Sequence, residues 1–427
     1  MKKFYSFIAL VLFSAMSITA QNSPLLSGAS FTNSALNDSF FEVVNYRGAF
    51  GSSNWTQGWA NFDPQNTNYP TPNVTVNGGD ITSNTTWTSN NVYLLNGWVY
   101  VKSGATLTIE PGTIIRGDKT NKGALIIEKG GKLIANGTAT NPIVFTSNQS
   151  AGNRDYGDWG GLIILGNAVI NVAGGSATIE GGVGSTYGGT IDNDNSGIIK
   201  YVRVEFPGIA FSANNEINGI TFGGVGSETE VDYVQVSYCG DDSFEWFGGT
   251  VNAKHLISFR SWDDDFDTDF GFRGKIQFAV ALRDKNIADV SGSNGFESDN
   301  DGTGSTNTPI TKPIFSNFTL IGPMQNLTDT IHSNFKRAMH LRRNTKLNVF
   351  NSVFSGWPVG LFIDGSASQS NATNDELRIE NCVLAGMTNF FASQFERNYF
   401  TSTSRNNDTM ATASMMMLVD PFNMTNP

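Results

Sequence analysis

The apolar residues of this chain fall in short runs that alternate with polar ones. In Thr106-Leu-Thr-Ile109, Leu107 and Ile109 face one way while Thr106 and Thr108 face the other. A two-residue period is the mark of a half-buried strand. Val92-Tyr-Leu-Leu95, Val99-Tyr-Val101, Thr113-Ile-Ile115, Ala124-Leu-Ile-Ile127, Lys132-Leu-Ile134 and Ile143-Val-Phe-Thr146 are further short strands, separated by turns such as Glu110-Pro-Gly112, Lys129-Gly-Gly131 and Ala135-Asn-Gly137. Pro and Gly supply the fixed or positive φ that such corners need. Whole phrases also recur. Ile199-Lys-Tyr-Val-Arg-Val-Glu-Phe-Pro-Gly208 returns as Val231-Asp-Tyr-Val-Gln-Val-Ser-Tyr-Cys-Gly240, and looser versions end on Gly322, Gly356 and Gly386. Strand-sized repeats with no helical pattern between them predict a solenoid of stacked parallel strands, since the connections are too short for helical crossovers. Asn317, Asn351 and Asn381 sit at one position of the looser repeat. In register they would form an inward ladder of amides; otherwise they are ordinary turn residues.

The ends differ from the middle. Lys2 and Lys3 precede the apolar run Phe7 to Phe13, and small or polar residues lead to Ala20-Gln21, which predicts a signal peptide over 1–20. The run is too short to span a bilayer, and no other segment is long enough, so no transmembrane segment is expected. Residues 21–75 lack the repeat but carry Phe40-Phe41, Trp55, Trp59 and Phe62-Asp-Pro64, as a cap or side layer would. A solenoid end exposes an unpaired strand edge and an open core that something must cover. The predicted division is therefore a cap or side module at 21–75, the solenoid at 76–395 and a C-terminal tail or cap at 396–427.

Composition narrows the partners. The chain has 46 Gly, 31 Phe, only 15% charged residues and a formal net charge of −11. That balance argues against a nucleic-acid partner, which needs clustered Lys and Arg, and suits cations or neutral glycans. Cys239 and Cys382 occupy equivalent repeat phrases several coils apart, which predicts buried free thiols rather than a disulfide. His255, His332 and His340 have no zinc-binding spacing. His332 and His340 flank the basic group Lys336, Arg337, Arg342 and Arg343, and are expected at the surface.

The candidate chemistry lies between Gly240 and Gly302, which holds 13 acidic and 6 basic residues, −7 of the chain's −11. Within Trp262-Asp-Asp-Asp-Phe-Asp-Thr-Asp-Phe-Gly271, a strand period would put Asp263, Asp265, Asp267 and Asp269 on one face. Four carboxylates on a ridge repel one another, and a hard cation such as Ca²⁺, with its six to eight oxygen ligands, would remove the repulsion. Glu297, Asp299 and Asp301 in Glu297-Ser-Asp-Asn-Asp-Gly302 have the alternating acids and glycine of a calcium loop, as does Asp192-Asn-Asp-Asn-Ser-Gly197; Asp241-Asp-Ser-Phe-Glu-Trp246 offers more oxygens. The alternative for each is a solvated acidic turn. Trp246 and Trp262 border the acidic stretch, either as platforms for the apolar faces of sugar rings or as core residues.

Three segments carry a family resemblance: Gly104-Ala-Thr-Leu-Thr-Ile-Glu-Pro-Gly-Thr-Ile-Ile-Arg-Gly117, Gly131-Lys-Leu-Ile-Ala-Asn-Gly-Thr-Ala-Thr-Asn-Pro-Ile-Val-Phe-Thr-Ser147 and Gly157-Asp-Trp-Gly-Gly-Leu-Ile-Ile-Leu-Gly166. The chain resembles secreted Bacteroidota right-handed parallel β-helix proteins, which are exported to the outer surface, often by the type IX system. That resemblance implies an all-β, right-handed parallel β-helix with an N-terminal cap module, a fold shared with pectate lyases, polygalacturonases and adhesins. Asn22 to Gln65 is similar to a module that such relatives carry after the helix, so residues 21–65 should pack on the C-terminal coils; no type IX sorting domain is recognisable at Asp420 to Pro427. Lyases of this shape combine Ca²⁺ with an Arg or Lys base, for which Asp267 and Arg273 would serve here, yet neither the lyase nor the polygalacturonase motif is recognisable. The expectation is a secreted or cell-surface, adhesin-like scaffold, stabilised by Ca²⁺ and binding an extracellular polysaccharide. The alternative is a calcium-dependent polysaccharide lyase or glycoside hydrolase. The sequence sets no oligomeric state.

Overall fold

The computed structural model describes residues 23–211 and 216–424; the expected signal peptide at 1–20 lies outside the described residues. The alternating runs form three stacks of parallel strands wound into one β-helix. The first stack runs from Thr85–Trp87 to Arg378–Glu380, the second from the start of Val74–Ile81 to Asp408–Met410, and the third from the end of Val74–Ile81 to Asn389–Phe391. The recurring phrases are register partners: Ile199 pairs with Val231, Val202 with Val234 and Val204 with Val236. Strands extend from Val74 to Met410, so the region expected as a C-terminal tail or cap carries the strand Asp408–Met410, and the helix Gln394–Phe400 packs over that end.

One side of every strand lines the interior, where aromatic rings stack along the axis. Phe244 and Phe266 lie 5.5 Å apart at 6°, and Trp246 stacks on Phe222 and Phe272. Cys239 and Cys382 are free and buried. Burial raises both thiol pKa values, that of Cys382 to about 12, so neither is a reactive thiolate.

The corner between the first two stacks is built the same way in coil after coil. Tyr201, Tyr233, His255, Phe278, Asn317, Asn351, Asn381 and Asn406 all hold left-handed φ values of 49–63°. Asn tolerates this region, whereas for aromatic residues it costs roughly 1–2 kcal/mol each. Ring stacking offsets the strain: Tyr201 to Tyr233 is 4.4 Å, Tyr233 to His255 is 4.2 Å and His255 to Phe278 is 5.2 Å.

The N-terminal residues 23–73, from the segment expected as a cap or side module, lie against the left-handed corner. They form a strap that starts at the C-terminal coils, where Ser23 Oγ donates to the Met416 carbonyl and Arg47 pairs with Asp408 at 2.5 Å. The strap then follows the left-handed corner toward the earlier coils. Trp59 meets Tyr201 and Tyr233 edge-on at 5.9 Å, and Trp55 meets His255 at 5.1 Å. Where the strap crosses Thr319, Gly48 at φ 89° leaves no room for a side chain, since a Cβ would sit 2.6 Å from Thr319 Oγ1.

This arrangement corrects the expected inward amide ladder. Asn351 accepts from Ser30 N at 2.8 Å and donates to Ser30 O at 3.1 Å, and Asn317 donates to Tyr46 O at 3.0 Å. The left-handed backbone turns these amides outward, onto the strap.

Candidate functional site

The third stack carries the acidic residues, and it arranges them in columns rather than along one strand. Thr221, Glu245, Asp267, Glu297 and His340 are register partners in five successive strands, all on the outer side. Three residues earlier in each coil, a second column runs through the preceding turn. Asp264 N donates to Asp242 Oδ1 at 2.7 Å, and Asn294 N donates to Asp264 Oδ1 at 2.5 Å. The underlying motif is an acid or amide, any residue, Phe, then an acid: Asp242-Ser-Phe-Glu245, Asp264-Asp-Phe-Asp267 and Asn294-Gly-Phe-Glu297. The Phe is the interior residue that fixes register, so its neighbours must stack.

Between the columns lies a recess of about 220 Å³ lined by Glu180, Asp241, Asp242, Glu245, Asp263, Asp264, Asp267 and Glu297, eight carboxyl groups against the single guanidinium of Arg342. Glu180 comes from a lateral insertion whose short antiparallel pair, Ala177–Thr178 with Thr186–Tyr187, packs on the outside of the same stack. Asn218 joins Glu180 to the coil, donating to it at 2.8 Å and also to Glu245.

The electrostatics are one-sided. Burial, and then the neighbouring carboxylates, push Asp241, Asp242, Glu245, Asp264 and Asp267 well above the usual carboxylate range, and Asp263 to about 6. Two ionised rungs about 4.8 Å apart repel by about 3.5 kcal/mol at an effective dielectric of 20. Arg342 is already engaged with Glu297 and, at 2.8 Å, with Asp299. For Glu297, burial is outweighed by the His340 hydrogen bond and the Arg342 charge, and its carboxyl stays below the usual range. Asp267 Oδ1 is buried without a hydrogen-bond partner. Two triads bring ligand oxygens within 4.8 Å of one another, Asp241–Asp242–Asp263 and Asp242–Glu245–Asp267, and they share Asp242.

Several residues named from the sequence lie elsewhere. Asp263 and Asp267 line the recess, but Asp265 does not, because the strand begins only at Phe266 and the residues before it form a turn. Asp265 instead points inward to Arg283 at 3.1 Å, both side chains fully buried, and accepts from Ser258 Oγ. Asp269 is outside the recess, with its pKa pushed up to about 8 by burial and then by Asp299. Asp299 is bound by Arg342 and Arg343. Asp301 caps its own turn through Thr303 and Ser305, whose hydrogen bonds outweigh burial and hold it at about 2. Within the segment expected as a calcium loop, Glu297 and Asp299 are ion-paired, and Asp301 is hydrogen-bonded within its own turn.

Arg273 does not join Asp267. It forks onto Asp192, the first acid of the phrase at 192–196, at 2.9 and 3.1 Å. Trp246 is fully buried and cannot stack on a sugar, whereas Trp262 is 37% exposed beside Asp263, its ring edge-on to Tyr156 at 5.5 Å. His340, expected at the surface, is buried between Glu297 and Asp364. Sequence reading missed Glu180 and the pairing of Asp242 with Asp264. The Phe-centred motif carried a signal for the second, but nothing marked Glu180.

Three strand stacks, a left-handed corner repeated along the axis and an outward row of stacked polar side chains define the class as a parallel β-helix. Residues 79–417 match the family described as pectate-lyase like beta helix domain, and the chain belongs to it. Neither a curated protein nor a solved structure matches. Among the described residues, no helix is long and apolar enough to cross a membrane.

Proposed function

We propose that this protein is an extracellular β-helix scaffold that binds Ca²⁺ in the stacked carboxylate recess and presents the adjoining surface to polysaccharide. One observation carries the reading: eight carboxyl groups converge on one small recess with a single guanidinium, and that guanidinium is already paired. Protons or cations must balance such a set, and at neutral pH a hard divalent cation does so with oxygen ligands alone. The two triads sharing Asp242 offer adjacent cation positions. Trp262, exposed next to Asp263, supplies the sugar-stacking surface. The leader-like start of the chain supports export. Calorimetric titration of Ca²⁺ into the full chain and into Asp242→Asn tests the site; an Asp242→Asn protein that binds Ca²⁺ as the wild type does would sink it.

A polysaccharide lyase or glycoside hydrolase is the second reading. The recessed carboxyl groups and the partnerless Asp267 oxygen favour it, but the cation a lyase base would require is committed, Arg273 to Asp192 and Arg342 to Glu297 and Asp299. Incubation with acidic and neutral polysaccharides, with Ca²⁺ or chelator, separates the two readings. Retention without new reducing or unsaturated ends supports the scaffold; calcium-dependent release of ends establishes the enzyme.

A further inference from the structure

Where the strap reaches the first coils, two arginines are buried side by side. Arg116 is 6% exposed and Arg154 4%. Both guanidinium groups donate to one oxygen, the carbonyl of Gln149, Arg116 Nη2 at 2.8 Å and Arg154 Nε at 3.3 Å. Their other hydrogen bonds also end on backbone carbonyls: Ser147 and Pro70 for Arg116, Pro64 and Thr67 for Arg154. Neither makes an ion pair among the described residues. The nearby carboxylates are occupied, Glu205 by the Tyr69 hydroxyl at 2.8 Å and Asp158 by Lys119 at 2.7 Å and Ser147 at 2.6 Å.

The two like charges are hydrogen-bonded only to carbonyl oxygens; Glu205 and Asp158 act on Arg154 from beyond ion-pair distance and are themselves shared with Tyr69, Lys119 and Ser147. Burial, and then the Arg154 charge, lower the pKa of Arg116. Arg154 lies over the Tyr69 ring at 4.9 Å, which fixes its plane, and its Nη2 makes no hydrogen bond among the described residues. Both arginines line a cavity of about 330 Å³, with Asn68, Thr71, Asn148 and Ser150 completing its polar wall. A flat fork of N–H donors matches the paired oxygens of a sulfate or carboxylate better than it matches water or chloride.

We propose that this cavity binds a small oxyanion, a sulfate or a carboxylate, through Arg154 Nη2 and Arg116, either as a free ion or as a substituent on a glycan. It is separate from the acidic recess and does not depend on a cation there.

The test is calorimetric titration of sodium sulfate into the full chain, with sodium chloride at matched ionic strength as control, on the wild type and on Asn148→Asp. Removing Arg154 outright would also unpin the strap, whereas the Asn148 side chain makes no hydrogen bond among the described residues, and an aspartate there supplies an internal counter-ion. Sulfate is expected to bind the wild type and to lose about ten-fold or more in affinity in Asn148→Asp, which is about 1.4 kcal/mol or more. The melting temperature of the variant without sulfate should equal or exceed that of the wild type. Equal heats for sulfate and chloride, or undiminished sulfate binding by Asn148→Asp, would overturn the proposal. A sulfated or uronate oligosaccharide that competes with sulfate identifies a glycan source, and one that does not identifies the free ion.

Discussion

Replacing Asp263 by Asn, with melting followed from pH 4 to pH 8 in chelator and in calcium, tests the acidic recess most directly. In the folded protein the Asp263 pKa is raised from 3.8 to about 6, by burial first. In the unfolded chain it ionises near 3.8, so between pH 4 and 6 the native state holds the extra proton. The Asp263 contribution to stability in chelator must therefore fall as pH rises through that window and level off above it. Two pH units correspond to about 3 kcal/mol, reduced to about 1–3 by partial solvent access. At about 2.1 cal/mol/K per residue, a folded chain of roughly 400 residues moves by about 1 °C per kcal/mol, so Asp263 alone accounts for about 1–3 °C. Calcium at a hundred times its dissociation constant adds about 2.7 kcal/mol, near 3 °C, and because it displaces protons its effect grows with pH. Scanning calorimetry resolves shifts of this size. Wild type should lose stability toward pH 6 in chelator and recover it in calcium, and Asp263→Asn should make the first trend shallower by about 1–3 °C. Parallel pH curves with and without calcium would refute the reasoning.

Three further outcomes follow from the geometry. Trp262→Ala should reduce polysaccharide retention with no measurable change in denaturant midpoint, while Trp246→Ala, at a fully buried ring, should lower stability by about 3–5 kcal/mol; denaturation and pull-down on both variants check this pair. Asn351→Ala combines a non-glycine, non-asparagine residue at φ 53° with loss of both Ser30 hydrogen bonds, for about 2–4 kcal/mol, and hydrogen exchange should quicken in the strap near Ser30. Cys239 and Cys382 should resist a thiol reagent in the native protein and react only on unfolding, as their full burial and raised pKa values require.

The repeat was legible because register in a solenoid is sequence similarity laid side by side: Ile199 over Val231 in the chain is Ile199 beside Val231 in space. The same rule, applied inside one segment, misplaced the acids. A two-residue period assigns faces only within a strand, and Asp263 to Asp265 precede one, so Asp265 turned into the interior and Asp264 into the recess. The site is written between coils, in the steps from Asp242 to Asp264 to Asn294, which no local window spans. Arg273 misled for a related reason. Nearness in sequence to Asp267 counts for little when the chain turns a corner and meets Asp192 of the insertion. The amide positions were found correctly, but their direction depended on a backbone handedness that residue type alone does not dictate.

The strap has a consequence for the order in which the molecule can be completed. Ser23 and Arg47 are synthesised hundreds of residues before Met416 and Asp408, the groups that hold them. Coils can stack on one another as they emerge, since each needs only its neighbour. The start of the chain must wait, its partners unmade, until the final rung exists. Closure of the strap must thus follow the synthesis of Asp408 and Met416, and it joins segments made hundreds of residues apart.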